Sequence, residues 1–157
     1  MQIVLYQPEI PPNTGTIARL CAATDTRLHL IEPLGFSLED RYLKRAGLDY
    51  WPHVRKTVWP DWAAFLDGRE PGRIVLTSAR RGTAYHRFSF SGDDFVVLGP
   101  ETRGLPREML DQAGHVVRLP IWGQVRSVNL ANAAAVLLYE GYRQTGELDR
   151  REAGQDG

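Results

Sequence analysis

Short apolar runs alternate with helical patterns along most of this chain. The runs are rich in β-branched residues and short enough to be buried strands, and they lie at 2–6, 28–31, 54–58, 73–78, 95–98 and 116–119. Apolar residues recur at helical spacing between them, as Ile17, Leu20 and Cys21 do within 13–24. Further helices are predicted from near Ser37, over 61–66, from near Pro106 and over 128–145. This alternation indicates an α/β fold, with an open, mostly parallel sheet and helices on both faces.

The length of 157 residues suits one domain, which we place at 1–146. A polar segment at 79–94 is predicted to be a loop. The last stretch, 147–157, is charged and poor in apolar residues, so it can bury little surface. We therefore predict that this tail is disordered.

Composition excludes several classes of function. The chain is 43% hydrophobic and 24% charged, as in soluble globular proteins, and no stretch approaches the roughly 18 continuous apolar residues of a membrane span. Its opening residues form a strand pattern without the basic and apolar regions of a secretory signal, so a cytoplasmic protein without a membrane role is expected. The four histidines have no metal-ligand spacing, so no metal site is expected. The only cysteine, Cys21, lies among apolar helix positions and is expected in the core.

The formal net charge is zero, which removes the overall basic character of many nucleic-acid-binding proteins. Any RNA contact must therefore come from a local patch. The best candidate combines cations for phosphates with aromatic rings for unstacked bases, in the residues Arg41, Lys44, Arg45, Tyr50 and Arg55. A solvated helix face with ordinary core aromatics explains the same pattern.

Polar residues open a helix directly after the first strand, in the segment Asn13-Thr14-Gly15-Thr16-Ile17-Ala18-Arg19. Free backbone N–H groups at such a helix start can bind a phosphate, and Arg19 follows about a turn and a half later. The alternative is that Asn13 or Thr14 caps the helix and that Arg19 is a surface charge.

A glycine-bracketed loop follows the strand 95–98, with the sequence Gly99-Pro100-Glu101-Thr102-Arg103-Gly104. Ligands of parallel α/β sheets bind at the carboxyl ends of strands, where glycine lets a cofactor approach the backbone. The two glycines have P-loop spacing, but Leu105-Pro106 stands where Lys-Ser/Thr is required, so nucleotide hydrolysis is not supported. The dinucleotide pattern G-x-G-x-x-G also follows none of the predicted strands. The loop is either a structural turn or a ligand site.

A third segment, from Val117 to Asn132, runs from the last predicted strand through a glycine-containing loop into the last helix. Ser127 is a candidate helix cap, and Ser127 and Asn129 stand where a site would be. The helix that follows is apolar nearly all round, which favours burial within the domain and against a partner.

In order and spacing, these segments resemble the SPOUT superfamily of methyltransferases, in particular the small branch that methylates the wobble ribose of tRNA. The stretches that resemble this branch are 5–15, 45–50, 98–106 and 126–133, and the chain departs from it at Trp122-Gly123-Gln124. The resemblance implies a trefoil knot near the carboxyl end, a homodimer, and transfer of a methyl group from S-adenosylmethionine to the 2′-hydroxyl of cytidine or uridine 34.

The resemblance also implies roles for individual residues. S-adenosylmethionine would be held by Leu76, Gly99, Leu119, Ile121, Ser127 and Val128, with Glu101 supporting the loop or orienting Arg19. An arginine almost never loses its proton, so Arg19 is expected to clamp phosphate and stabilise the alkoxide, not to act as a base. Asn13, Ser127 and Asn129 would orient Arg19 and the ribose. The alternatives are 2′-O-methylation of a ribosomal loop and a non-catalytic RNA-binding module of the same fold.

Overall fold

A computed structural model describes residues 1–39, 41 and 50–154. The strands are β1 Gln2–Tyr6, β2 Leu28–Ile31, β3 Lys56–Trp59, β4 Ile74–Thr77, β5 Thr83–Ala84, β6 Phe95–Leu98 and β7 Val116–Arg118. All pair in parallel in one sheet of order β3-β2-β1-β6-β4-β7-β5. The predicted parallel α/β architecture is therefore confirmed.

The helices are α1 Pro11–Ala23, α2 Trp62–Gly68, α3 Arg107–Gln112, α4 Leu130–Gln144 and α5 Glu147–Ala153, with single 3₁₀ turns at Trp51–His53 and Tyr85–Arg87. Helix α1 begins two residues before the predicted start, because proline is tolerated in a first turn whose N–H groups have no helical partner. The helix predicted from near Ser37 falls largely on residues 40 and 42–49, outside the described residues.

Two apolar layers cover the two faces of the sheet. On one face, Ile3 and Leu5 pack with Ile17 and Cys21 of α1 and with buried residues of α4. The opposite layer packs Val4 and neighbouring strand residues against α2 and α3. Cys21 is 1% exposed, as expected, and burial raises the pKa of its thiol to about 12. Because helices α1 and α4 both pack on the first of these faces, they lie side by side, and the polar starts of both helices come to the carboxyl edge of the sheet.

Strand β7 lies between β4 and β5, although it follows both in sequence. Thr77 and Thr83 are both level with Val117, so the short segment 78–82 crosses β7. Gly82 passes so close to β7 that a Cβ there would lie 2.2 Å from the Val116 carbonyl oxygen. Most of 79–94 is loop as predicted, but β5 and the turn Tyr85–Arg87 within it were not anticipated.

The prediction that the tail 147–157 is disordered is wrong for its first part. Residues Glu147–Ala153 form α5, which has Leu148 packed against the core and Glu147 bonded to Arg150 and Arg151. These helical pairs and one apolar anchor stabilise a segment whose composition alone indicates disorder. No helix within the described ranges is both long and apolar enough to cross a membrane.

Candidate functional site

A cleft of about 670 Å³ opens at the carboxyl ends of β4, β6 and β7. Its walls come from the three segments singled out in the sequence and from residues 77–81, and they include the apolar side chains of Leu98, Leu119 and Leu137. The predicted site residues that line it are Asn13, Gly99, Glu101, Leu119, Ile121, Ser127, Val128 and Asn129. Such a volume with mixed apolar and polar walls suits a ligand the size of a nucleoside cofactor.

Leu76 and Arg19 are not among the described residues that line this cleft. Leu76 is buried within the sheet, and its neighbour Thr77 reaches the cleft instead. Arg19 is exposed on α1, where its guanidinium carbon lies 4.6 Å from the centre of the Tyr50 ring. The six-residue step from Asn13 turns Arg19 well round the helix, so the two side chains leave α1 in different directions.

A chain of hydrogen bonds joins Glu101, Asn13 and Asn129 across the mouth of the cleft. Asn13 Nδ2 donates to Glu101 Oε1 at 3.3 Å, and Asn129 Nδ2 donates to Asn13 Oδ1 at 3.0 Å. The two Glu101 oxygens also accept from the backbone N–H groups of Glu9 at 2.8 Å and Ile10 at 3.2 Å. Glu101 therefore binds the start of α1, as a carboxylate at a helix N-terminus is expected to do, and it does not orient Arg19 in this structure.

The cap of α4 is Asn129 and not Ser127. Asn129 Oδ1 accepts from the backbone N–H groups of Ala131 at 2.9 Å and Asn132 at 3.3 Å. The sequence interpretation of Ser127 as the cap is therefore wrong, because the helix begins two residues later than predicted. Ser127 is left exposed at the mouth of the cleft, where its hydroxyl can meet a ligand.

A reciprocal clasp holds the β1–α1 loop against the loop after β6. While Glu101 accepts from Glu9 N–H, the Glu9 carboxylate accepts from Thr102 N–H at 2.9 Å and from Thr102 Oγ1 at 2.7 Å. Arg103 Nη2 adds a bond of 2.9 Å to Gln7 Oε1, and Gln7 adopts a left-handed φ of 48°. Bonds from the Thr102 hydroxyl and N–H lower the pKa of Glu9. This clasp could not be predicted from the sequence, since its partners are more than 90 residues apart.

Glycine is required at position 99 because the loop after β6 folds back against its own backbone there. A Cβ on Gly99 would lie 2.4 Å from Leu105 N and 2.6 Å from the Gly104 carbonyl carbon. Gly104 itself has φ of +69°, where L side chains are disfavoured. Both glycines therefore shape the loop itself, in addition to any cofactor contact.

The predicted RNA patch is only partly visible. Arg41 is exposed, while Lys44 and Arg45 lie outside the described residues. Arg55 Nε forms an ion pair of 2.8 Å with Asp25, and Tyr50 supports Arg19. Arg19 thus joins the surface that sequence reasoning had assigned to RNA.

Comparison with known proteins identifies the family. The sequence profile described as the SpoU rRNA methylase family matches residues 1–139. The chain belongs to this family. A tRNA (cytidine(34)-2′-O)-methyltransferase of Methylovorus glucosotrophus is 56% identical over 145 residues, which cover 90% of this chain and 94% of that protein. The enzyme of the same name from Escherichia coli K12 is 47% identical, covering 93% and 94%.

Solved structures of SpoU methylases have the same fold. One, described as giving insights into the 2-OH methylation of C/U34 on tRNA, superposes with a TM-score of 0.87 at 48% identity, covering 91% of this chain and 94% of its own. The SpoU methyltransferase AviRb from Streptomyces viridochromogenes, in complex with the cofactor AdoMet, gives a TM-score of 0.80 at 24% identity, covering 92% and 60%. The family resemblance seen in the sequence motifs is confirmed.

The ionisable side chains around the cleft are mostly arginines. In the part of the chain that the structure describes, no group of three or more His, Cys, Asp or Glu side chains could hold a metal ion. The cleft instead offers apolar walls, backbone groups of strand-end loops, and a ring of arginines that sequence reasoning did not single out.

Proposed function

We propose that this chain transfers a methyl group from S-adenosylmethionine to the ribose 2′-hydroxyl of nucleotide 34, a cytidine or uridine, in tRNA. The observation that carries the proposal is 47–56% identity to tRNA (cytidine(34)-2′-O)-methyltransferases over at least 90% of the chain. We also propose that the enzyme acts in the cytoplasm, where its substrate is.

The cleft suits S-adenosylmethionine in size and in chemistry. Its volume of about 670 Å³ and its apolar walls can take an adenosine, and backbone groups of three strand-end loops can bind the polar parts. The residues that would hold the cofactor are Gly99, Leu119, Ile121, Ser127 and Val128, with Thr77 at the end of β4 next to Leu76. When bound, the cofactor supplies an electrophilic methyl group.

The chain's own residues then position the ribose. In-line transfer to oxygen needs reacting atoms about 3–3.5 Å apart, so orientation contributes much of the rate. Ser127 is exposed at the cleft mouth and is our candidate for orienting the hydroxyl. Asn13 and Asn129 bond to each other, so they hold the mouth of the cleft in shape.

Arg19 is our candidate for the phosphate clamp. Its guanidinium stays protonated, so it can bind the flanking phosphate and stabilise negative charge that develops on the ribose oxygen. The Tyr50 ring below it, at 4.6 Å, restricts the side chain while leaving its N–H edge able to donate. In this arrangement the clamp and the RNA surface act together.

We propose that residues near the carboxyl end form a trefoil knot. Supporting this, the segment 78–82 crosses β7, and the chain continues from β7 into the loop that lines the cleft. Ser78 N–H donates to the Val117 carbonyl at 3.0 Å, and Arg118 Nε donates to the Gly82 carbonyl at 3.2 Å. These bonds bind the crossing segment to the strand it encloses.

We further propose that the enzyme is a homodimer. Supporting this, Val136 and Tyr139 are 38% and 47% exposed on the outer face of α4, and Trp122 and Val125 are 92% and 67% exposed beside the cleft. Large apolar side chains exposed together commonly mark an interface. A symmetric dimer through α4 would cover the first pair.

The decisive experiment uses purified protein, S-adenosylmethionine and tRNA transcripts. Mapping of ribose methylation should give one product at nucleotide 34, and a transcript with a single 2′-deoxyribose at that position should give none. A ribosomal RNA fragment serves as the competing substrate. Methylation of that fragment, or of the deoxy transcript at another nucleotide, would overturn the assignment.

A further inference from the structure

Positive charge is concentrated around the cleft of a chain whose formal net charge is zero. Five arginines line the cleft, namely Arg80, Arg81, Arg103, Arg118 and Arg126. Among the described lining residues, Glu101 is the only carboxylate, and it is already bonded to the start of α1. S-adenosylmethionine is itself a net cation, because its sulfonium and ammonium outweigh its carboxylate. The arginines therefore suit a second ligand that is anionic.

A smaller hollow of about 560 Å³ adjoins the cleft on the other side of the loop after β6, and its walls include Arg81, Arg103 and Arg107. The Asp111 carboxylate lies 2.7 Å from Arg81 Nη2 and 3.6 Å from Arg107 Nε. One carboxylate thus holds two guanidinium groups side by side. The Arg81 and Arg107 side chains are 49% and 90% exposed, so other N–H donors of both groups can reach an incoming ligand.

We propose that Arg81, Arg103 and Arg107 form a binding site for backbone phosphates of the RNA substrate, in which the Asp111 carboxylate competes with the phosphates for two of the three. The inference rests on the proposed function in taking RNA as the substrate. Guanidinium groups bind phosphate oxygens through paired N–H donors, and several on one surface can follow a sugar–phosphate backbone. Because the hollow shares the loop 103–105 with the cleft, an RNA strand with its reacting ribose in the cleft continues directly onto these arginines.

The test measures the affinity of a fluorescent anticodon stem-loop RNA at several salt concentrations, with S-adenosylhomocysteine present. Arg81→Gln, Arg103→Gln and Arg107→Gln should each weaken binding by roughly threefold to tenfold, and each should reduce the slope of log K against log salt by about one. For Arg107→Gln, which lies outside the cleft, the kcat for methylation at saturating RNA should change little, while KM for RNA rises. Affinity of that variant for S-adenosylhomocysteine, measured by calorimetry, should stay within about twofold.

In Asp111→Asn, the direction of the change in RNA affinity distinguishes a binding role of this surface from a purely structural one. The substitution removes a negative charge beside two arginines, so RNA affinity at low salt should rise by roughly twofold to fivefold with a steeper salt slope. If the Arg81–Asp111 pair served only to fix α3, the same variant would leave RNA affinity unchanged or reduce it.

A matched control exists at the start of β2, away from the strand ends that form the cleft. Arg27, just before β2, pairs with Glu70 at 2.5 Å, and the two side chains are 46% and 57% exposed. Arg27→Gln and Glu70→Gln should leave RNA affinity and the salt slope unchanged, although they alter the chain's charge as the test variants do.

Three results would overturn the inference. They are unchanged RNA affinity and salt slope in all three arginine variants, loss of S-adenosylhomocysteine binding in parallel with RNA binding in Arg107→Gln, and altered sedimentation with unaltered RNA binding. Altered sedimentation with unaltered RNA binding would indicate that the surface is a protein interface. Mapping of the wild-type product keeps the two proposals apart, because arginine-dependent RNA binding without methylation at nucleotide 34 contradicts only the proposed function.

Discussion

The guanidinium carbon of Arg19 lies 4.6 Å from the centre of the Tyr50 ring, which joins a residue of α1 to the segment before β3. A guanidinium over an aromatic face is held by cation–π attraction while its edge still donates hydrogen bonds. Arg19, our candidate for the phosphate clamp, is not among the described residues that line the cleft proposed to bind the cofactor. Substitutions can test them separately.

Arg19→Ala should lower methyl transfer by roughly 10²-fold or more, the scale for loss of one preorganised electrostatic group. Affinity for S-adenosylmethionine should stay within a few-fold, because Arg19 is not among the described residues lining the cleft. Arg19→Lys should restore little activity, since an ammonium lacks the planar fork. Steady-state kinetics and calorimetry check this. Near-normal turnover with lysine would show that a point charge suffices.

Gly99→Ala should weaken cofactor binding by more than tenfold, and Gly99→Val should abolish it. The added Cβ would lie 2.4 Å from Leu105 N, so the loop must open to accept it. Gly114→Ala is the control, because nothing lies within 4 Å of a Cβ at that position. Calorimetry with added chelator measures both affinities and tests metal independence. Unchanged affinity in Gly99→Ala would contradict the loop geometry.

Thr102→Val should raise the pKa of Glu9 toward its ordinary value, because the hydroxyl bond that most lowers it is lost. Since the folded pKa of Glu9 is depressed, the clasp stabilises the fold above the unfolded pKa of about 4.3, and this contribution is lost as pH falls through the folded pKa. NMR titration of the Glu9 carboxyl measures the shift. Thr102→Ser keeps the hydroxyl and should keep the low pKa.

His29 should make the fold sensitive to mild acid. Burial, with a smaller effect from Arg27, lowers the pKa of His29 to about 4, and Trp59 Nε1 donates to its Nδ1 at 3.0 Å. As the pH decreases from 6.5 to about 4, the unfolded chain gains a proton that the folded chain does not. The free energy of unfolding therefore decreases as the pH is lowered across that window. Urea unfolding should show a shallower pH slope in His29→Phe. Exposed His53→Gln, the control, should keep the wild-type slope.

Val136→Glu and Tyr139→Glu should shift the protein toward monomer, because each places a charge on the exposed apolar part of α4. Sedimentation at micromolar concentration measures the effect. Arg143→Glu, on the same face of α4, is the comparison variant, because it replaces one charged side chain with another. A wild-type protein that sediments as an active monomer would refute the proposed dimer.

The apolar runs predicted six strands and the parallel sheet, because strands buried on both faces need continuous hydrophobic sequence. Strand β5 has only two residues and therefore no such run. Helix α5 depends on pairs such as Glu147–Arg151, which the composition of the segment does not reveal. The three motifs located the cleft. The Glu9–Thr102 clasp and the Arg81–Asp111 pair could not be found, since each joins residues distant in sequence that meet only in the folded chain.

The position of β7 constrains how the molecule is made. β4 and β5 both precede β7 in the chain, so the place between them in the sheet stays unfilled until residues 116–118 have been synthesised. The walls of the cleft include the end of that strand and further residues up to Leu137. The sheet therefore cannot be completed before β7 is made, and the cleft cannot be completed before the first half of α4 is made. A chain that stops before Leu137 lacks part of the ligand site.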